Sequence, residues 1–352
     1  MKKTLLQECD SYPFISILVA ARNEEKHIAT CINSILNQDY PSDKMELIVI
    51  DDHSNDGTVK AVKAIKDKRL ELLQLEHFLS NNKKIIAFKK AALNLGVNHA
   101  KGAYIITTDA DCVATKLWLK TYATAFGKGK EMVLGPVKID RVNSCLTAFQ
   151  DLDVAGTMLL TGTAVFANHP ILSNGANFGF SKKLFDKLGG YQGNENQASG
   201  DDVFLLQKAT QNNVDKIDFL TSPAALIQTS PSETWTSLFW QRLRWAGKTS
   251  AYRDPYLIGF QAFVFLFNAL LWALIICSFP TSLTFIYFLL MIWLIKLFSD
   301  FLYLNFAVKQ LGHKISLRWF LPVFLSHSLY IIVIGLLALL PISSQWKGRK
   351  TT

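Results

Sequence analysis

The sequence predicts an α/β fold, a doubly wound and mostly parallel sheet, followed by C-terminal transmembrane helices. Two observations carry this expectation. In the N-terminal third, short apolar runs alternate with helical stretches, the rhythm of parallel strands joined by crossover helices. In the C-terminal third, three apolar segments each approach the ~20 residues that cross a hydrocarbon core.

The first run, 14–20, reads as a buried strand, followed by the polar turn Arg22-Asn23-Glu24-Glu25 and a helix to residue 36. The pattern recurs with a strand at 45–50, a turn at 51–57 and a helix at 58–68. A third round places a strand at 70–75 and a helix near 89–99, and a fourth strand, 103–108, ends at Asp109. Sheets of this kind bind ligands beyond the carboxyl ends of their strands, and two acidic clusters, at Asp51-Asp52 and Asp109-Ala110-Asp111, fall at that edge. Residues 115–229 are less regular, with glycine turns at Gly127-Lys128-Gly129, Asn174-Gly175 and Gly189-Gly190.

The stretch 235–245 mixes Trp235, Trp240 and Trp245 with Arg242 and Arg244, a pattern suited to a membrane interface. Apolar spans follow at about 257–279, 283–306 and 319–342, the second interrupted by Lys296 and Asp300, which stand one helical turn apart and can pair. The chain therefore divides into a polar domain (1–230), an interface segment (231–256) and a membrane domain of about three helices (257–352). No apolar core of signal-peptide length lies before Cys9, which keeps the polar domain in the cytoplasm, and Lys309, Lys314 and Arg318 between the second and third spans agree. A third complete span would put Lys347, Arg349 and Lys350 on the far side against the positive-inside rule. Either the tail is an exception or one segment lies in the interface.

Composition narrows the rest. The net charge of +9 lies near apolar spans and suits anionic lipid rather than nucleic acid. Cys9, Cys31, Cys112, Cys145 and Cys277 are odd in number and widely spaced, which excludes a disulfide framework and a C-x-x-C zinc site. No G-x-G-x-x-G follows the first strand, which disfavours a dinucleotide oxidoreductase.

Four clusters carry chemistry. Asp51-Asp52-His53-Ser54-Asn55-Asp56-Gly57 can offer acceptors to a base and ribose, or simply cap a loop. Asp109-Ala110-Asp111 supplies two carboxylates to a hard cation such as Mg²⁺ or Mn²⁺, whose other ligands are phosphate oxygens and waters. Gly200-Asp201-Asp202 opens a helix, where a carboxylate serves either as general base or as dipole partner. Gln241-Arg242-Leu243-Arg244-Trp245 offers guanidinium groups for phosphate and a ring for a sugar or lipid, or else an interfacial anchor.

In their order and spacing these clusters resemble the family 2 glycosyltransferases, a group of GT-A fold containing cellulose, chitin and hyaluronan synthases and ceramide glucosyltransferases. The resemblance begins at Ser16-Ile-Leu-Val-Ala-Ala21-Arg22-Asn-Glu24-Glu25. It continues through Asp51-Asp52, Lys89-Lys90-Ala-Ala-Leu-Asn94, Asp109-Ala110-Asp111, Gly175-Ala-Asn-Phe178, Gly200-Asp201-Asp202 and Gln241 to Trp245, over about the first 250 residues.

The resemblance implies an inverting transferase that moves a sugar from a nucleotide sugar, commonly a UDP sugar, to a hydroxyl of a lipid or glycan. It implies donor contacts from Ala21, Arg22, Glu24, Asp51, Lys89 or Lys90, Asp109, Ala110 and Asp111, with the metal on Asp109 and Asp111. Asp202 takes the place of the catalytic base, and Asp201, Gln241, Arg244 and Trp245 lie toward the diphosphate and acceptor. The region 115–229 becomes the acceptor-side half, and the setting becomes the bacterial inner membrane. Arg22 departs from the family's usual aromatic, and no span precedes the catalytic region, which disfavours export through a pore of its own. Two alternatives stand beside this reading. A polyprenyl-phosphate sugar synthase would not need Q-x-x-R-W, and a non-catalytic, membrane-anchored nucleotide-sugar-binding protein would be expected to have lost an acidic motif.

Overall fold

The computed structural model describes residues 11–78, 86–140, 142–194, 197, 199–247, 252, 254–277, 282–340, 344–347 and 349–351. The N-terminal rounds fold as β1 (Ile15–Ala21), α1 (Ile28–Leu36), β2 (Met45–Asp51), α2 (Thr58–Ala64), β3 (Leu70–Gln74), α3 (Phe88–His99) and β4 (Tyr104–Asp109). Then come β5 (Cys112–Ala114), α4 (Trp118–Gly127), β6 (Met132–Leu134), β7 (Val137–Ile139), α5 (Cys145–Phe166), β8 (Phe178–Ser181), α6 (Lys182–Lys187), α7 (Asp201–Gln211), β9 (Ile217–Phe219), β10 (Ile227–Thr229) and α8 (Trp235–Ala246).

The main sheet has seven strands in the order β3-β2-β1-β4-β8-β6-β9. Strands β3, β2, β1 and β4 are parallel, β8 runs against both β4 and β6, and β9 is parallel to β6. Strand side chains alternate between two cores because successive residues point to opposite faces. Ile15, Ile17 and Val19 join Ile28, Ile32, Trp118 and Tyr122 of α1 and α4 on one face. Leu18, Ile48 and Ile50 join Leu93 and Val97 of α3 and Leu205 and Leu206 of α7 on the other. The doubly wound, mostly parallel sheet is therefore present as the alternation predicts.

Helix α5, 22 residues long and capped by Ser144 through the Thr147 amide, has no counterpart in the sequence reading. It lies between the catalytic sheet and the C-terminal helices. Leu152 and Ala155 pack against Ala307, Val308, Phe320 and Val323, while Val154 and Met158 pack toward the sheet. Covered on both sides, it shows no single apolar stripe to betray it.

Three long apolar helices follow: α9 (Pro255–Cys277), α10 (Leu283–Gln310) and α11 (Leu317–Ala338), each long and apolar enough to cross a membrane. Lys296 and Asp300 pair within α10 as the spacing suggests. The last turns of α10 and the first of α11 pack on α5. A short hairpin, β11 (Ser344–Trp346) and β12 (Arg349–Thr351), closes the chain. Lys347 at its turn reaches Glu24, next to β1. Asp254, just before α9, stands 3.6 Å from His169, just after α5. Both ends of the apolar block thus meet the sheet domain.

Candidate active site

The register of the parallel strands sets the site. Ala21 lies opposite Asp51, and Ala20 opposite Asp109, so the carboxyl ends of β1, β2 and β4 stand abreast. The Asp52 amide donates to the Ala21 carbonyl at 2.8 Å, and the Arg22 guanidinium donates to the carbonyls of Asp52 and His53 at 2.8 and 2.9 Å. His53 holds φ +53°, a left-handed turn fixed by those bonds. Asp51 is buried, and one of its oxygens accepts from the Ser54 amide at 3.2 Å. The other, Oδ1, has no partner among the described residues. A buried acceptor left so costs ~1–3 kcal/mol, which marks it as a place for a ligand donor.

At the end of β4, Asp109 receives a 2.7 Å hydrogen bond from Lys89, which also stands 3.6 Å from Asp201. Burial opposes the Lys89 charge, but Asp109, Asp201 and Asp202 outweigh it and hold its pKa above the usual lysine value. Burial likewise opposes the Asp109 charge, and Lys89, then Arg244 and Lys347, more than offset it and hold its pKa low. Asp111 goes the other way: burial, Asp109 and Glu24 raise it to about 6. Two adjacent carboxylates with an excess of negative charge between them are the donor set a hard divalent cation takes. No group of three potential protein ligands occurs among the described residues. Asp109 and Asp111 are the residues that could hold such a cation, whose remaining ligands would be phosphate oxygens and water.

Lys90, next to Lys89, is turned away from Asp109. Its ammonium donates to the carbonyls of Asn194 and Gln197 at 2.8 and 2.9 Å and sits over the Phe204 ring, tying down the loop before α7. Gly200, at φ +83°, ends that loop and starts α7 on Asp201 and Asp202, both buried. Gly175 faces this pair: a Cβ there would stand 3.1 Å from Asp201 Oδ2 and 3.6 Å from Lys89 Nζ. Thr107 holds Gly175 through its carbonyl at 3.0 Å.

Two residues on, Asn177 is fully buried and fully bonded. Its oxygen accepts from Trp118 and Tyr122, and its amide donates to the carbonyls of Pro136 and Ala225. The amide thus pins β8 to α4 and to the loops after β6 and before β10.

Helix α8, capped by Thr234 through the Ser237 amide, carries the Q-x-x-R-W motif. Arg244 lies within electrostatic reach of Asp109 and Asp201, although burial lowers its pKa. Gln241 is half-buried one turn earlier. Trp245 stacks on Arg242 at 4.2 Å and is partly exposed. Arg242 faces the opposite way from Arg244. It is 3% exposed and holds Asp153 of α5 at 2.7 Å, while His327 of α11 meets the other Asp153 oxygen at 3.1 Å. Burial opposes the Asp153 charge, but Arg242 and His327 keep its pKa low.

The sequence reading missed two participants. Asp153 sits in the helix it did not find. Lys347, read only as a topology signal, donates to Glu24 and to the Arg22 carbonyl, the latter at 2.6 Å, and Arg22 Nε returns a bond to the Lys347 carbonyl at 3.3 Å. The side chains of Arg349 and Lys350 lie outside the described residues. The other sequence-derived site residues, Ala21, Arg22, Glu24, Asp51, Lys89, Asp109, Ala110, Asp111, Asp201, Asp202 and Arg244, belong to this one edge of the sheet.

Comparison with known proteins agrees with this geometry. The model described as glycosyl transferase family 2 matches residues 16–189, and the one described as glycosyl transferase family group 2 matches residues 104–342, more than half of the chain. "Probable glycosyltransferase YdaM" of Bacillus subtilis is 27% identical over 240 residues, 66% of this chain and 54% of that protein. "Beta-monoglucosyldiacylglycerol synthase" of Trichormus variabilis is 36% identical over 101 residues, 29% of this chain and 21% of that protein. The chain thus spans about half or less of these two relatives. The structure of mannosyltransferase PcManGT from Pyrobaculum calidifontis, in complex with GDP-Man and Mn²⁺, shares the fold at a TM-score of 0.56 and 20% identity, with 94% of this chain and 88% of that one aligned. The chain belongs to the family 2 glycosyltransferases, with a GT-A-type fold.

Proposed function

We propose that this family 2 glycosyltransferase moves a sugar from a UDP sugar to a hydroxyl of a lipid or glycan at a membrane, with inversion at the anomeric carbon. The observation that carries the reading is the convergence of Asp51, Lys89, Asp109, Asp111, Asp201, Asp202 and Arg244 on one sheet edge that is flanked by apolar helices. Glu24, Asp51 and the Arg22 turn face the nucleoside, with Asp51 Oδ1 free to accept from the base. Lys89 and Arg244 meet the charge of the diphosphate. Asp109 and Asp111 would hold Mg²⁺ or Mn²⁺, which, when bound, stabilises the departing nucleoside diphosphate. Asp202 takes the proton from the acceptor hydroxyl as its oxygen attacks opposite the leaving group, while Asp201 is held toward Lys89. Gln241 and Trp245 line the acceptor approach.

Helices α9 to α11 support the membrane setting. With both ends of this block at the sheet domain, we place an even number of crossings between residues 254 and 347, and the catalytic domain (1–230), with the interface segment (231–256), on the cytoplasmic side of a bacterial inner membrane. The relative named for a diacylglycerol product supports a lipid acceptor. The test is Asp202→Asn in the full chain with a lipid extract and a panel of nucleotide sugars. Transfer should fall ~10²–10⁴-fold with donor binding kept. Undiminished transfer by a folded variant overturns the base assignment and favours a phosphate acceptor, which needs no deprotonation.

A further inference from the structure

A cavity of about 240 Å³ lies where α5 and α10 meet the main sheet. Its wall is almost wholly hydrocarbon, built from Met158, Leu159 and Gly162 of α5, Phe219 and Leu220 at the end of β9, and Phe306 of α10. Gly162 helps keep it open, since a Cβ there would press on the Phe219 ring at 3.0 Å.

Its place in the fold matters more than its size. Strands β6 and β9 are parallel to each other and, through antiparallel β8, run in the same sense as β4. Pro136, just past β6, and Leu220, just past β9, therefore lie on the same carboxyl edge as Asp109, displaced from the donor strands toward the far side of the sheet. The opposite wall is the last turns of α10, where Ala307 is buried against α5 while Phe306 is 54% exposed and so open to lipid.

A polar glycan would find almost no hydrogen-bond partner in such a wall, and an apolar cavity of this kind stays dry and accepts hydrocarbon. We infer that it holds part of the hydrocarbon chain of the acceptor lipid while the hydroxyl head lies at Asp202. The inference rests on the lipid-acceptor reading given above.

Thr163 and Gln310 stand at the rim, Thr163 exposed, so Thr163→Trp and Gln310→Trp fill the mouth without disturbing the core. The full chain is placed in phosphatidylcholine vesicles containing a diacylglycerol with a diazirine near one acyl terminus, photolysed, and the adducts mapped by mass. Adducts on the buried wall residues Met158 or Leu220 are expected, falling about tenfold in the rim variants. That is the loss of about two buried methylenes at roughly fourfold in affinity each. Adducts confined to the outward faces of α9 and α10 overturn the inference, and because this arm uses the wild-type chain it does not depend on the variants folding.

Transfer to a lipid extract is measured in parallel. Lipid products formed at the wild-type rate by both rim variants, with the cavity unlabelled, sink the cavity and leave the lipid reading standing. A labelled cavity in an enzyme that glycosylates only soluble acceptors sinks the lipid reading and the inference with it.

Discussion

The donor edge of the sheet and the helical face behind α5 both gather charged side chains, and they arrange them in opposite ways. At the donor edge Lys89 meets Asp109 at 2.7 Å and Asp201 at 3.6 Å with Asp202 and Asp111 close by, so the carboxylates outnumber it and Asp111 is raised to about 6. Behind α5 each carboxylate meets a cation or imidazole at short range, Arg242 with Asp153 at 2.7 Å, His327 with Asp153 at 3.1 Å and His313 with Asp151 at 3.0 Å. The first arrangement leaves capacity for a ligand. The second joins α8, α10 and α11 to the catalytic domain through α5. A buried ion pair adds little net stability, but removing one partner leaves an uncompensated charge, so such pairs specify which helices dock where.

Substitutions separate the two. The largest effect is expected at the donor edge: Asp109→Asn should lower kcat/KM by ~10²–10³-fold, as loss of a group that holds the leaving charge does, with the thermal midpoint nearly unchanged. Asp153→Asn should do the reverse. It strands Arg242, which is 3% exposed, and should cost ~3–5 kcal/mol of stability by denaturant titration, with kcat changed far less. Equal loss of kcat in a folded Asp153→Asn enzyme would erase the distinction between the two regions.

The pH dependence sharpens the comparison further. The Asp111 carboxyl lies at about 6 against an ordinary 3.8, so its charged form is disfavoured in the fold. Its contribution to stability is present below pH ~4 and is lost as pH rises through ~6. A divalent cation on Asp109 and Asp111 repays that loss only where Asp111 is ionised. Mn²⁺ should therefore raise the thermal midpoint above pH 6 and have little effect below pH 5, and half-saturation should need roughly tenfold more Mn²⁺ per pH unit below 6. A midpoint shift independent of pH would remove Asp111 from the cation site.

The smallest effect belongs to Lys347. Lys347→Met takes a positive charge from beside Glu24, Asp109 and Asp111. Donor KM should rise about three- to tenfold, while the Mn²⁺ requirement falls. An unchanged KM would confine Lys347 to a structural clasp.

Legibility followed the range of the interaction. Strands β1 to β4 were readable because each is a short, largely apolar segment that ends in a polar turn or loop. The placement of Asp51 and Asp109 at strand ends and of Asp202 at a helix start was readable because such positions are set locally. Lys89 and Lys90 could not be told apart from sequence: adjacent positions on a helix point about 100° apart, and only the packing of α3 sends Lys89 to Asp109 and Lys90 to the carbonyls of Asn194 and Gln197. Arg242 and Arg244 divide in the same way, one toward Asp153 and one toward Asp109. Helix α5 escaped because it is covered on two sides.

The sequence by itself determined the alternating sheet, the ordered acidic motifs and the three apolar helices, since each is a property of residues close together in the chain. Only the tertiary structure decided that Lys347 comes back to Glu24 across 323 residues, that the apolar block begins and ends at the same domain, and that a hydrocarbon-walled cavity opens on the catalytic edge. No local pattern encodes such closures. They arise when strand register and helix packing bring distant segments to one surface, and the charges and cavities left there have no signature along the chain.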